Sequence, residues 1–255
     1  MKKIYLYIPN TLTCLNLACG FYATAAGMQG HFLYAMTAVF LAAVFDFADG
    51  FAARMLKAYS PIGKELDSLS DIVSFGVAPG AMLYSFLDGM ADGGSFGSRA
   101  FLLSAFFIPV FSGLRLAKFN IDSRQTKSFL GLPVPAHAIF WAPLVYSLSC
   151  SPLSFTPLSC TLPCTLFGGE AIIISPVILM GCLSALAIVS SSLLVTEIPM
   201  FSLKMSSLRW KDNKLQYVLL ASAILLIVFF GFAGVSATAL LYVLMSILAY
   251  RGVES

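Results

Sequence analysis

Long apolar runs separated by short polar breaks dominate the chain. Measured against the roughly 20 helical residues that cross a bilayer core, eight runs stand out, over 11–28, 32–53, 64–87, 100–118, 133–150, 171–195, 216–232 and 235–250. The pattern predicts an all-α integral membrane protein, a polytopic bundle of about eight transmembrane helices. The last two runs are short and meet at Gly231-Phe-Ala-Gly234, which predicts a tight turn. Residues 1–10 alternate apolar with basic or aromatic side chains, as in a short N-terminal interfacial segment, and Asn10 is placed to cap the first helix. The apolar run after Met1-Lys2-Lys3 is expected to stay as that helix rather than leave as a signal, because the rest of the chain is membranous. No internal repeat or second domain is visible, so residues 1–255 read as a single membrane domain.

Composition sharpens this picture. Hydrophobic residues make up 59% and charged residues 11% of the chain, and the mean hydropathy is +0.89, which excludes an ordinary soluble domain. With the N-terminus inside and the spans alternating, fourteen of the fifteen lysines and arginines fall on the cytoplasmic side, and Arg99 alone falls outside. The positive-inside rule therefore predicts a cytoplasmic-membrane protein with both termini on the cytoplasmic face. The net charge of +3, gathered on that face, suits anionic lipid rather than nucleic acid. Cys14 and Cys19 read as packing residues in an apolar helix. Cys150, Cys160 and Cys164 gather in an external loop, where an oxidising compartment would allow a disulfide. His31 and His137 lie too far apart to suggest a metal site.

Against this background one polar stretch is anomalous. Asp46-Phe-Ala-Asp49-Gly50-Phe-Ala-Ala53-Arg54 is followed by Gly63-Lys-Glu-Leu-Asp67-Ser-Leu-Ser-Asp71. On a helix Asp46, Asp49 and Ala53 share one face, as do Gly63, Asp67 and Asp71 after the break at Ser60-Pro61. Two antiparallel helices meeting here would point four carboxylates at one another. Unpaired, those carboxylates repel; hard divalent cations such as Mg²⁺ or Mn²⁺ take carboxylate oxygens and keep positions open for substrate phosphates. Ala53 and Gly63 leave room for a phosphate ligand near the backbone, and Arg54 offers a fork of donors for its oxygens. The other reading of these residues is a polar loop of solvated charges.

The spelling D-x2-D-G-x2-A-R-x8-G-x3-D-x3-D resembles that of the CDP-alcohol phosphotransferase family, with no gap or substitution. The resemblance implies that Asp46, Asp49, Asp67 and Asp71 hold two Mg²⁺ or Mn²⁺ ions, with Asp71 also the general base. It implies that Asp49, Gly50, Ala53, Arg54 and Gly63 contact the CDP part of the donor. Pro9-Asn10-Thr-Leu-Thr13 resembles a segment near the nucleotide in many members, so Asn10 and Thr13 join that set. Members are commonly homodimers, and Gly76 and Gly80 would let the third helix pack closely on another helix or on a second subunit. Pro79 in the same helix predicts a kink.

A second stretch, Gly113-Leu-Arg115-Leu-Ala-Lys118-Phe-Asn120, puts Arg115 and Lys118 on one face at the inner end of the fourth helix. Spacing alone reads as positive-inside anchoring. The segment also resembles the Arg-x-Ala-Arg-Phe-Asn of the phosphatidylserine synthase branch, with lysine in place of the second arginine. Phe129-Leu-Gly-Leu-Pro-Val-Pro-Ala136 and Ile198-Pro-Met-Phe-Ser-Leu-Lys204 resemble that branch too. This branch implies transfer of a phosphatidyl group from CDP-diacylglycerol, a membrane lipid, to L-serine, with Arg115, Lys118 and Asn120 on the serine side of a segment running over 113–136. Glycerol 3-phosphate, inositol and inositol phosphate are the alternative acceptors, and a phosphorylated one would need more converging cations than Arg115 and Lys118. Intramembrane carboxylates also serve transporters, but those spread polar groups through the midplane and often show repeated halves.

Overall fold

The computed structural model describes residues 7–91, 96–121, 129–150, 160–162, 172–200 and 213–251. Helix α1 (Ile8–Met28) turns at Gly30, which adopts φ +76, into α2 (Phe32–Leu56). A short link leads to α3 (Pro61–Asp71), which continues without a break through a π-helical turn at Ile72–Val77 into α4 (Ala78–Met90). Helix α5 (Phe96–Leu102) likewise continues through a 3₁₀ turn, Leu103–Phe106, into α6 (Phe107–Ile121). Then come α7 (Val134–Cys150), α8 (Pro176–Val195), α9 (Lys214–Phe230) and α10 (Phe232–Arg251). Among the described residues short strands make two clasps, β1 (Phe129–Leu130) with β4 (Pro199–Met200) and β2 (Cys160–Leu162) with β3 (Ile172–Ile174), both antiparallel.

Among the described residues five helical stretches, Phe32–Leu56, Pro61–Met90, Arg99–Ile121, Pro176–Val195 and Phe232–Ala249, are long and apolar enough to cross a membrane, and two shorter apolar helices, Val134–Cys150 and Lys214–Phe230, accompany them. Large apolar side chains such as Phe21, Phe47, Ile178, Val228 and Leu248 face outward. In water they would be a liability; around a bundle of this length they form a surface matched to lipid. The protein is an all-α, multi-pass membrane protein.

Three expectations are corrected in detail. Asn10 does not cap α1: the helix starts earlier, Tyr7 occupies the cap position without a side-chain bond, Pro9 fills the first turn, and Asn10 is already helical. Proline fits there because its missing N–H would have had no intrahelical partner. The turn expected over 231–234 contracts to Gly231, whose φ of +58 reverses the chain, while Gly234 belongs to α10. The kink expected at Pro79 takes the form of the π turn before it. Pro79 has no N–H and its ring crowds the carbonyl one turn back; widening the preceding turn so that Ala78 donates to Val73 relieves this without breaking the helix. Residues 1–6, most of the interfacial segment, lie outside the described residues, as do Cys164 and 201–204; Cys150 is a free thiol.

The core is built where small residues let backbones meet. Gly76 and Gly80 face α6 of the same chain, and a Cβ on them would stand 3.1 Å from Ser112 Cβ and 3.0 Å from Pro109 Cδ. Gly20 of α1 lies against the π turn, where an added Cβ would be 2.7 Å from the Ser74 Cα. Serines stitch the same seam: Ser70 Oγ donates to the Thr13 carbonyl (3.1 Å) and Ser74 Oγ to the Asn16 carbonyl (3.0 Å). Between α7 and α8, His137, Trp141 and Ser190 form a buried polar knot, with Trp141 Nε1 3.1 Å from His137 Nε2.

Gly20→Val should therefore lower the thermal midpoint in detergent by the equivalent of about 1–3 kcal/mol, the usual cost of overpacking. Gly113→Ala, at a helical glycine with nothing within 4 Å, should leave the midpoint unchanged or raise it. Equal midpoints for Gly20→Val and wild type would refute the close approach of α1 to the π turn.

Candidate active site

The last turns of α2 carry Asp46, Asp49, Gly50, Ala53 and Arg54, and the helix ends with Lys57 in the left-handed region at φ 50. Arg54 in that final turn also suits the negative end of the helix dipole. Ser60 then caps α3, its Oγ accepting from the Gly63 N–H at 2.9 Å, with Pro61 in the first turn. This cap directs Asp67 and Asp71 back toward the face of α2.

Ligand oxygens of Asp46, Asp49 and Asp67 all lie within 4.8 Å of one another. Asp71 stands one turn further along, buried and within electrostatic reach of Asp46 and Asp67, but outside that tight set of three. Helix α1 supplies neutral donors from the side: Thr13 Oγ1 gives Asp49 Oδ2 a 2.7 Å hydrogen bond, and Asn16 Nδ2 lies 3.2 Å from Asp71 Oδ1. Among the described residues none of the four carboxylates forms an ion pair. Two unit charges about 4 Å apart repel by about 4 kcal/mol even at an effective dielectric of about 20, so this cluster needs positive charge from outside the chain. Asp67 Oδ1 is moreover buried with no hydrogen-bond partner. Three hard carboxylate oxygen donors with an unsatisfied oxygen among them fit Mg²⁺ or Mn²⁺ and not a soft metal.

Beside the carboxylates a cavity of about 610 Å³ opens, lined by α1, α2, the link and α3. Its wall includes all seven residues expected at the nucleotide: Asn10, Thr13, Asp49, Gly50, Ala53, Arg54 and Gly63. Gly63 has to be bare, because a Cβ there would meet Asn10 Oδ1 and Ser60 Oγ, each at 2.9 Å. Sequence reasoning missed Tyr59, Ser60, Lys64 and Phe119 in the same wall. The capping signal of Ser60-Pro61 could have placed Ser60; Phe119 belongs to the quoted Arg115–Asn120 stretch, whose distance in sequence hid its place beside the nucleotide set.

The serine-side set divides. Arg115 is 8% exposed, its Nε is buried without a partner, and its guanidinium carbon lies 5.7 Å from the Phe119 ring centroid. Asp71 and Tyr242 are its nearest electrostatic neighbours, and it forms no ion pair among the described residues. Lys118 is exposed and its Nζ points at the Val195 carbonyl, 3.5 Å away at the end of α8. Asn120 is engaged with α3, its Nδ2 donating to Ser68 Oγ (2.9 Å) and its carbonyl accepting from Lys64 Nζ (3.5 Å).

Comparison with known proteins adds a second, independent line. A family model described as CDP-alcohol phosphatidyltransferase matches residues 6–167. The chain is 37% identical over 131 residues to the CDP-diacylglycerol-serine O-phosphatidyltransferase of Bacillus subtilis (strain 168), covering 51% of this chain and 70% of that protein. It is 38% identical over 139 residues to the enzyme of the same name from Methanocaldococcus jannaschii, covering 54% and 60%. With the archaetidylserine synthase of Methanothermobacter thermautotrophicus it shares 34% over 143 residues, covering 54% and 58%. Each alignment thus spans about half of this chain, and in the last two less than two thirds of the relative.

If the carboxylates repel until a cation arrives, Asp67→Asn should raise the thermal midpoint in chelator, because one of the crowded charges is gone. Adding Mn²⁺ should stabilise the wild type and leave Asp67→Asn nearly unmoved. A wild type indifferent to Mn²⁺, or a variant less stable in chelator, would contradict the arrangement.

Proposed function

The chain belongs to the CDP-alcohol phosphatidyltransferase family, and from that premise we propose that it transfers the phosphatidyl group of CDP-diacylglycerol to the hydroxyl of L-serine, giving phosphatidylserine and CMP. The observation that carries the reading is the cluster of carboxylates beside a cavity whose wall holds every residue expected at the nucleotide. The names of the aligned relatives support serine as the acceptor.

In this reading the serine oxygen forms a bond to the phosphorus that carries diacylglycerol. The bond from that phosphorus to CMP breaks, CMP leaves with the bridging oxygen, and the serine proton passes to Asp71. Asp46, Asp49 and Asp67, with Asp71 beside them, would hold the divalent ions. Bound there, such ions would supply positive charge against the pyrophosphate and the departing CMP. Arg54 takes phosphate oxygens from the cavity wall, while Gly50, Ala53 and Gly63 allow the nucleotide to approach the helices closely. The formal charges favour two ions over one: four carboxylates against Arg54 and Arg115 stay net negative, a single divalent ion only neutralises them, and a second is needed to offset the charge of the pyrophosphate.

Arg115 receives the serine carboxylate. A buried guanidinium without an ion pair is costly in a membrane bundle unless an anion reaches it, and Asp71 lies on the same side, where the serine hydroxyl would have to be. Lys118 and Asn120, whose side chains are engaged elsewhere, then act as braces between helices. The basic residues at this end of the bundle support a site at the cytoplasmic face of the cytoplasmic membrane, where the donor's acyl chains would stay in lipid.

The test is CMP release by the detergent-purified protein from CDP-diacylglycerol and Mn²⁺, with L-serine, glycerol 3-phosphate, inositol and inositol phosphate offered separately. Release with serine alone, abolished by chelator and by Asp71→Asn, is expected; release with another acceptor would overturn the serine assignment. Arg115→Ala should raise the KM for serine about tenfold to a hundredfold, the worth of a charged hydrogen bond, and leave the KM for CDP-diacylglycerol within about twofold. Equal effects on both would remove Arg115 from the serine site.

A further inference from the structure

Asn16 lies outside the recognisable motif, yet its side chain is the only one among the described residues that hydrogen-bonds Asp71. It is 0% exposed, in the middle of the seam between α1 and the π turn. The orientation of the amide follows from chemistry, because an ionised carboxylate only accepts and must therefore face the Nδ2 hydrogens. That choice leaves Asn16 Oδ1 buried with no donor.

Three features separate this side chain from ordinary helix packing. The docking of α1 onto α3 and the π turn is carried by other groups: Ser70 and Ser74 bond to main-chain carbonyls of Thr13 and Asn16, and Gly20 permits the close approach. None of these contacts needs the Asn16 amide. A buried amide with an unmet carbonyl also costs stability, so an apolar side chain of the same size would hold the seam better. Finally, Thr13 and Asn16 are three residues apart on one face of α1 and do the same thing, each donating to one oxygen of one aspartate.

We propose that Asn16 is a positioning residue: its amide fixes Oδ1 of Asp71 and so aims the other carboxylate oxygen into the site. Among the described residues that second oxygen accepts no hydrogen bond. Without the amide, Asp71 would swing about its side-chain torsions in answer to the repulsion of Asp46 and Asp67. The role rests on the proposed reaction for its kinetic consequence, but the fixing of the carboxylate can be read separately.

The deciding variant is Asn16→Leu, which keeps the volume and removes the donor. Purified in detergent, it should elute as wild type and melt no lower. Its kcat with serine should fall about tenfold or more, with the KM for CDP-diacylglycerol within about twofold. The Mn²⁺ concentration for half-saturation, read from the free-Mn²⁺ EPR signal without substrates, should rise severalfold. Were the side chain only packing, stability would change and these readings would not. Unchanged kcat together with unchanged Mn²⁺ half-saturation overturns the proposal. If wild type releases CMP with no acceptor, the reaction reading fails, and the Mn²⁺ curve alone decides the role of Asn16. Should Asn16→Leu not fold, Asn16→Ser gives the same decision on the same curve.

Discussion

Crowded negative charge is the constraint on which this structure depends. Four aspartates stand within one bend of a membrane bundle, three of them with oxygens inside 4.8 Å, and the described residues offer them no ion pair. A chain selected for stability alone would not keep such a cluster, since each like-charged neighbour adds to the cost of burial. The surrounding architecture therefore reads as a means of holding the carboxylates together against their repulsion. The Ser60 cap fixes the start of α3, neutral donors from α1 hold individual oxygens, and the glycine seams bring α1 and α6 close against the helix that carries Asp67 and Asp71.

The π turn is what lets one helical rod serve two neighbours. Asp67, Asp71 and Ser74 have to face α1 and α2, while Gly76 and Gly80 have to face α6. The extra residue in the turn at Ile72–Val77 shifts the phase between the acidic half and the glycine half of the rod. Pro79 supplies the local reason for the widening, so a residue outside the site helps to aim it. Such turns recur at functional sites because they trade some regularity for a face that a straight helix would not present.

Much of this was legible in the chain and some was not, for identifiable reasons. Helix positions followed from apolar run length, and the acidic face from spacings of three and four, because both are local properties of a helix. All seven residues expected at the nucleotide line one cavity because six of them belong to only two local segments. What was not legible was of two kinds. Boundary errors, at Asn10 and at Gly231, arose where proline or glycine moved a terminus by a few residues. Partners stayed open where charge and spacing said nothing about direction: Lys118 and Arg115 are three apart, yet one reaches a helix end and the other is buried near Asp71.

The burial of Arg115 bears on the rival reading of the carboxylates as an ion path. A path needs polar groups in sequence across the membrane, each passing charge to the next. Among the described residues the buried charged groups stop at Asp71 and Arg115, Asp88 and Arg99 further along being exposed, and the seam beyond is Gly20, Gly27, Met82 and the apolar core around Phe75 and Leu83. The buried hydroxyls of Ser104 and Ser184 further out are neutral and bonded to one another. Among the described residues, buried charge is thus confined to one end of the bundle. That arrangement suits the proposed reaction, in which a charged head group is held at one end while the acyl chains remain in lipid, better than it suits a path across the membrane.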